Sequence, residues 1–285
     1  MTADQTIASL RAGDEVCGVF ACVRKDRLNT RSGSPYLALE LRDRTGSVPG
    51  RAFRDADRLS GGFERGDLVR VVGQMERFRD ELVVEVSEIV RTDGADPADF
   101  LPSVRRDLEE LDGFLEHLAR EVYDPAYRGL LDGLLTDREL RGELRRSPCT
   151  RGAHHAYLGG LLEHTVAVTT LARELCDLHR RLNSDLLLTA AIVHDLGRLR
   201  EFRLGADIEL TEEGRLLGHV TLGIQMLAER MSRAGLDEER RLALSHCVLV
   251  HHGAASAPGG RFGSPEAVAL YRLNGVDGAV ADAWM

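Results

Sequence analysis

Ten histidines are spread along this chain of 285 residues, and none precedes His117. Five of them stand in apolar stretches: His164 in GGLLEHTVAV, His194 in LLLTAAIVHDLGRL, His219 in GRLLGHVTLGIQML, and the pair His251-His252 closing LALSHCVLVHHG. Asp195 directly follows His194. A buried imidazole or carboxylate without a partner is costly, on the order of a few kcal/mol. One shared cation satisfies several such groups together. Imidazole and carboxylate without thiolate suit Mn, Fe, Co, Ni or Zn better than Ca or Cu(I). A carboxylate can bridge two ions while its histidine neighbour binds one. Two ions ~3.5–4 Å apart suit phosphoester hydrolysis. The H-D dipeptide alone is weak evidence; H…HD…H…HH across several helices is strong. No G-x-x-x-x-G-K, no G-x-G-x-x-G opening a helix and no G-x-S-x-G occurs, so nucleotide cradles and a serine elbow are excluded.

These residues need helices to hold them, and the hydrophobic period supplies them. From residue 100 onward, Leu108, Leu111, Leu115 and Leu118 recur at three- and four-residue steps. Further helices are expected at about 124–136, 157–182, 184–198, 211–232, 236–252 and 264–282. Neighbouring helical residues diverge by about 100°. His194 and Asp195 can therefore flank one ion only if their helix turns a corner into the cleft. Leu216, His219, Gly223 and Met226 share one stripe, and Leu244, Cys247, Val248 and His251 another. The charged runs at 104–110 and 137–146 read as solvated helix faces.

Residues 15 to about 92 have a different period. EVCGVFACVRK, YLALELRD, SVPGRAF, DLVRVVGQMERF and ELVVEVSEIV alternate apolar and polar residues and are separated by turn signals. Five such strands suggest a small antiparallel barrel or sandwich. The stretch TDGADPADFLP marks a boundary. The expected organisation is α+β and multidomain: a β-barrel module over 1–95, a helical linker over 96–150 and an all-α domain over 151–285.

The net charge of −9 excludes a globally basic nucleic-acid wrapper. A local basic segment survives: Arg24 to Arg58 holds nine Arg/Lys against five Asp/Glu. Arg24, Lys25, Arg27 and Arg31 fall in what reads as the first long loop, Tyr36 opens the next strand and Phe53 follows the third. A positive groove with stacking aromatics binds single-stranded nucleic acid. The five cysteines are odd in number and contain no C-x-x-C pair, which suits a reducing cytoplasm. No apolar run reaches the ~20 residues of a membrane span. The N-terminal MTADQTIASLRAGDEV has no secretory pattern, so a cytoplasmic protein without membrane partners is expected.

The pattern His164…His194-Asp195 resembles the HD-domain metal-dependent phosphohydrolases. Four stretches resemble, more narrowly, the YhaM-type 3′→5′ exoribonucleases: HHAYLGGLLEHT (154–165), AIVHDLGR (191–198), EGRLLGH (213–219), and HHG from His251 followed by FGSP from Phe262. The resemblance implies an N-terminal OB-fold ahead of an all-α HD domain. It implies metal ligands at His164, His194 and Asp195, with His219, His251 and His252 toward a second ion. It also implies an aspartate on the last helix, where this chain has Asn274, with Asp277 three residues on. Arg198 takes the place of a lysine and could hold a phosphate; His155 could act as general acid. The activity implied is removal of 5′-mononucleotides from the 3′ end of single-stranded RNA, or DNA, with one or two divalent ions per chain. Manganese leads, with Fe, Co, Ni, Zn or Mg as alternatives, and a homo-oligomer is compatible with the family likeness. Two other readings stay open at this point. One is a phosphohydrolase of small nucleotides or a cyclic dinucleotide. The other is a single-strand-binding protein with a decayed metal site.

Overall fold

A computed structural model describes residues 6–30 and 32–283. Arg31 therefore lies outside the described residues. The chain forms two compact units. The first runs to Pro102 and takes in Leu204–Glu209; the second is Ser103–Arg203 with the chain from Leu210 onward.

The first unit is a closed five-stranded barrel. Its strands are β1 (Glu15–Asn29), β2 (Pro35–Asp43), β3 (Gly46–Ala52), β4 (Leu68–Phe78) and β5 (Glu81–Arg91), with the short helix α1 (Ala56–Ser60) between β3 and β4. The order around the barrel is β1-β2-β3-β5-β4, closed by β1 pairing with β4. Pairing is antiparallel except between β3 and β5. Alternation in β2 sends Leu37, Leu39 and Leu41 into the core, where Phe20, Val71, Met75 and Val84 meet them. Strand β1 serves two neighbours. Glu15–Ala21 pairs with β4, and Ala21–Asn29 pairs with β2 through a register shift between Cys22 and Arg24. Such a bulge bends a strand. It lets β1 continue to Asn29, so Arg24, Lys25 and Arg27 lie on a strand and not in the loop expected for them.

The second unit is helical: α2 (Leu108–Arg120), α3 (Pro125–Thr136), α4 (Arg138–Arg146), α5 (Gly160–Leu178), α6 (Ser184–Val193), α7 (Arg198–Glu201), α8 (Glu212–Arg233), α9 (Glu238–Val250) and α10 (Pro265–Asp282). Side-chain caps start most of them. Asp107, Asp124, Asp137, Asn183, Thr211, Asp237 and Ser264 each accept a backbone N–H of the first turn. Residues 96–150, expected as a separate linker, divide at Pro102. Helices α3 and α4 bury Leu130, Leu131, Leu134 and Leu140 in the same core as Leu187, Val248 and Leu270. The run at 137–146 is also less solvated than its composition suggests, because Arg141 and Arg145 both donate to the buried Asp112 of α2.

Two features were not anticipated. Strands β6 (Phe202–Leu204) and β7 (Ile208–Leu210) make a small hairpin, and its tip clusters with the first unit. There Ala206 is buried beside Ala21 and Leu68, and Arg42 donates to the Ala206 carbonyl. Helix α8 is also broken at Gly218, whose φ of 68° and ψ of 160° are non-helical. The break ends the expected stripe: Leu216 is exposed, while His219 is buried. Among the described residues no helix is long and apolar enough to cross a membrane.

Candidate metal centre and nucleic-acid interface

The second unit gathers around Asp195 histidines that lie on, or just beyond the ends of, four of its helices. His164 projects from α5. Helix α6 ends at Val193, so His194 and Asp195 stand in the turn that follows it and not within the helix. His194 keeps helical backbone angles, φ −57° and ψ −38°, and both side chains nevertheless reach one centre, with His194 Nε2 3.7 Å from Asp195 Oδ2. His219 follows the Gly218 break, and His251 and His252 follow the end of α9.

The two oxygens of Asp195 face different sets of nitrogens. Oδ1 lies 3.2 Å from His219 Nε2 and 3.3 Å from His251 Nε2. His219 Nε2 is in turn 3.4 Å from His251 Nε2 and 2.9 Å from His252 Nε2. Oδ2 lies 3.8 Å from His164 Nε2 and 3.7 Å from His194 Nε2, and those two nitrogens are 3.2 Å apart. Cys149 Sγ is 3.6 Å from Oδ2 on the same side. His252 is the exposed member of the group; Asp195, His164, His194 and His251 are almost wholly buried.

The lone pairs point inward because the opposite ring nitrogens are occupied. His194 Nδ1 donates to the Ala191 carbonyl at 2.8 Å, and His251 Nδ1 donates to that of Val248 at 2.6 Å. A donor at Nδ1 leaves Nε2 as an acceptor. Burial lowers His194 to about 3, and burial with the neighbouring His251 lowers His252 to about 3, so both rings are neutral. Burial alone would raise Asp195, but Arg198 and the surrounding imidazoles outweigh it and hold the carboxyl well below its usual range. Buried Asp195 Oδ1 nevertheless has no hydrogen-bond partner. An anionic oxygen and the Nε2 acceptors of His194 and His251 thus crowd one space. Ligands about 2.1 Å from an ion lie roughly 3.0–3.4 Å from one another, and the spacings around Oδ1 are close to these. The residues around Oδ1 therefore fit a divalent cation, while on the other side His164, His194 and Oδ2 stand 3.2–3.8 Å apart.

Several expected site residues stand elsewhere. Arg198 is half-buried, donating to Glu201 at 2.5 Å with its Nε 3.5 Å from Asp195 Oδ2, so it braces the centre and does not present a free fork to a phosphate. Asn274 does not join the group; its Nδ2 donates to the His251 carbonyl at 3.4 Å. His155 is buried, with Nε2 3.0 Å from Asp277 Oδ2 and Nδ1 2.8 Å from the Tyr157 hydroxyl. Burial would lower this ring, but Asp277 and Glu163 overcome it and raise it to about 9. With both nitrogens engaged, His155 is not placed to protonate a leaving group. His246 accepts from the Gly263 N–H at 2.7 Å, a packing role. Glu201 escaped the sequence reading. It accepts from His219 backbone N at 3.1 Å and faces His219 Nδ1 at 3.3 Å, orienting that ring. In LREF it reads as surface charge; its one signal is its position just beyond the H-D turn.

The first unit carries its own candidate face. On β2 and β3 the residues alternating with the core are Tyr36, Ala38 and Glu40, and Ser47, Pro49 and Arg51. The Tyr36 and Phe53 rings stack with centroids 5.3 Å apart and planes 25° from parallel. Phe53 is 47% exposed, large for an aromatic side chain. A groove beside them is lined by Arg24, Leu28, Tyr36, Pro49 and Arg51. Arg51 lies 4.2 Å over the Phe78 ring, a pair the sequence reading missed although β3 alternation puts Arg51 on the Phe53 side. Lys25 is different. It turns to the Phe63 carbonyl and to Glu64, and only 13% of its side chain is exposed. Arg24 and Arg27 pair with Asp26 and Asp57 at 2.5 and 2.7 Å on the surface. Such exposed pairs are weak enough for a phosphate to displace.

Residues 161–282 match the family model of the HD domain, and residues 16–91 match that of the OB-fold nucleic acid binding domain. Barrel and histidine centre together define an OB-fold and HD-domain protein. The 3'-5' exoribonuclease YhaM of Halalkalibacterium halodurans is 28% identical over 276 residues, covering 94% of this chain and 84% of that protein. That of Shouchella clausii is 26% identical over 279 residues, covering 95% and 85%. That of Oceanobacillus iheyensis is 27% identical over 262 residues, covering 91% and 80%. Over more than nine-tenths of its length the chain is thus similar to proteins named 3'-5' exoribonuclease YhaM.

Proposed function

We propose that this protein is a metal-dependent 3′→5′ exoribonuclease that shortens single-stranded RNA to 5′-mononucleotides. The observation that carries the reading is the buried, unpartnered Oδ1 of Asp195 among inward-facing imidazoles. His164, His194 and Asp195 Oδ2 would hold one divalent cation, and His219, His251, His252 and Asp195 Oδ1 the other. When bound, such ions activate water as the nucleophile and offset the charge that grows on the phosphoryl oxygens. Asp195 spaces the two positions, Glu201 fixes His219, and His252 forms the side open to solvent, where a terminal phosphodiester can enter. Manganese is our choice of ion for the nitrogen and oxygen donors named here, a set that leaves out the Cys149 thiol beside Oδ2. Cys22, Cys149 and Cys247 are buried in the interior, the five cysteines are scattered without a C-x-x-C pair, and we place the protein in the cytoplasm.

RNA labelled at its 3′ end should release labelled mononucleotide at once, whereas 5′-labelled RNA should shorten gradually. Chelation should stop both, and added Mn should restore them. Turnover of free nucleotides with RNA left intact would instead favour the small-nucleotide phosphohydrolase.

The Tyr36–Phe53 face is our candidate for gripping the strand. Base stacking on an aromatic ring contributes about 1–3 kcal/mol, so Phe53→Ala should weaken single-stranded RNA binding about 5- to 150-fold, as read by fluorescence anisotropy. Arg24 and Arg51 each neutralise a phosphate in this reading. Affinity should then fall roughly sevenfold between about 50 and about 200 mM salt. A flat salt response would remove the basic groove from the proposal.

A further inference from the structure

His164 differs from the other inward-facing histidines in how it is held. Backbone carbonyls hold His194 and His251, and Glu201 holds His219. For His164 the acceptor comes from α10: Asp277 Oδ2 lies 2.6 Å from its Nδ1, while Nε2, on the opposite edge of the ring, faces His194. The same Asp277 oxygen receives His155 Nε2 at 3.0 Å. His155 Nδ1 meets the Tyr157 hydroxyl at 2.8 Å, and that hydroxyl donates to Glu163 at 2.6 Å. Glu163 precedes His164 on α5. The hydrogen bonds therefore run from Glu163 through Tyr157, His155 and Asp277 back to His164, a loop that closes on adjacent residues. His155 occupies this loop with a φ of 54°, a left-handed conformation that costs a non-glycine residue about 1 kcal/mol or more.

His155, His164 and Asp277 could themselves be read as a third cation site. The 2.6 Å between His164 Nδ1 and Asp277 speaks against it. Two ligands of one ion stand about 3.0 Å or more apart, so that separation is a hydrogen bond.

We propose that Asp277, itself held by His155, is the positioning residue of His164: it accepts the Nδ1 proton, fixes the ring's rotation and leaves the Nε2 lone pair for the cation. This rests on the metal-centre reading above. Losing such an outer partner lowers metal affinity about 10- to 100-fold. Mn or Co titrated calorimetrically into the full chain should therefore show Asp277→Asn binding that much more weakly with the number of ions per chain unchanged. His155→Gln should move affinity in the same direction by less, which covers the case in which Asp277→Asn fails to fold. In a His164→Gln background the Asp277→Asn change should add nothing further, because the two act as one unit. Unchanged affinity in Asp277→Asn, or a full additional loss in the His164→Gln background, would overturn the assignment. Loss of one whole ion per chain would make Asp277 a ligand and overturn it as well. A wild-type chain that takes up no ion at all would sink the metal-centre reading itself, and with it this one.

Discussion

Asp195→Ala is expected to yield a folded protein that has lost its metal and at least about a thousandfold of its nuclease activity together. Each oxygen of Asp195 serves a different group of imidazoles, so one truncation removes an anionic donor from both cation positions. The fold should tolerate the change for a specific reason. In the metal-free protein Oδ1 is a desolvated anion with no hydrogen-bond partner, so its deletion offsets part of what is lost with the Arg198 and Cys149 contacts of Oδ2. Arg198, the nearest cation, keeps its 2.5 Å bond to Glu201. The metal-free variant should therefore still fold, melting somewhat below the metal-free wild type because Arg198 loses its contact with the carboxylate. Adding Mn should raise the melting temperature of the wild type, by the mass-action term for a ligand bound only to the folded state, and leave the variant where it was. Metal analysis and thermal shift on the two proteins check this. A variant that retains its ions and full turnover would remove Asp195 from the centre.

The second large effect falls on a residue with no side chain. Gly197 closes the turn that carries His194 and Asp195, and it packs against the start of α8. A Cβ built there would sit 1.9 Å from the His219 carbonyl oxygen and 2.5 Å from the Gly223 nitrogen. Both obstacles are backbone, so no rotamer change relieves them. Gly197→Ala must push the turn and α8 apart, and with them Asp195 and His219. The expected cost is about 3 kcal/mol or more, or roughly 10 °C in melting temperature, with metal affinity falling alongside. Gly275→Ala is the control: it lies on the exposed side of α10 with nothing within 4 Å of the added carbon, and should be neutral or stabilising by about 0.5–1 kcal/mol. Equal melting temperatures for the two variants would mean that the turn is looser than its packing indicates.

What could be read ahead of the structure follows from range along the chain. All five barrel strands were legible, because a two-residue alternation and its turns are local. The closure of β1 on β4 and the parallel pairing of β3 with β5 were not, since no local pattern encodes them. The helical stripes located α3, α5, α6, α8, α9 and α10 to within a few residues at most ends. The same stripes carried α6 across His194-Asp195 and α8 across Gly218, because periodicity does not register a turn made by one or two residues. Strands of three residues, as in β6 and β7, have no period to find. Arg198 read as a phosphate holder and Lys25 as a cation of the nucleic-acid groove, because their actual partners are set by folding. Glu201 was missed for the same reason. The role of Asp277 was equally hidden, because the ring it orients lies 113 positions away.

The excursion of residues 204–209 bears on how this molecule can be divided. A fragment beginning at Ser103 would look like a clean excision of the helical half, yet it would carry a hairpin tip whose Ala206 is normally covered by Ala21 and Leu68. The complementary fragment ending at Pro102 would leave those two side chains uncovered and strip Arg42 of its acceptor at Ala206. Neither piece is self-sufficient, and mixing them in trans should give more soluble protein than expressing either alone.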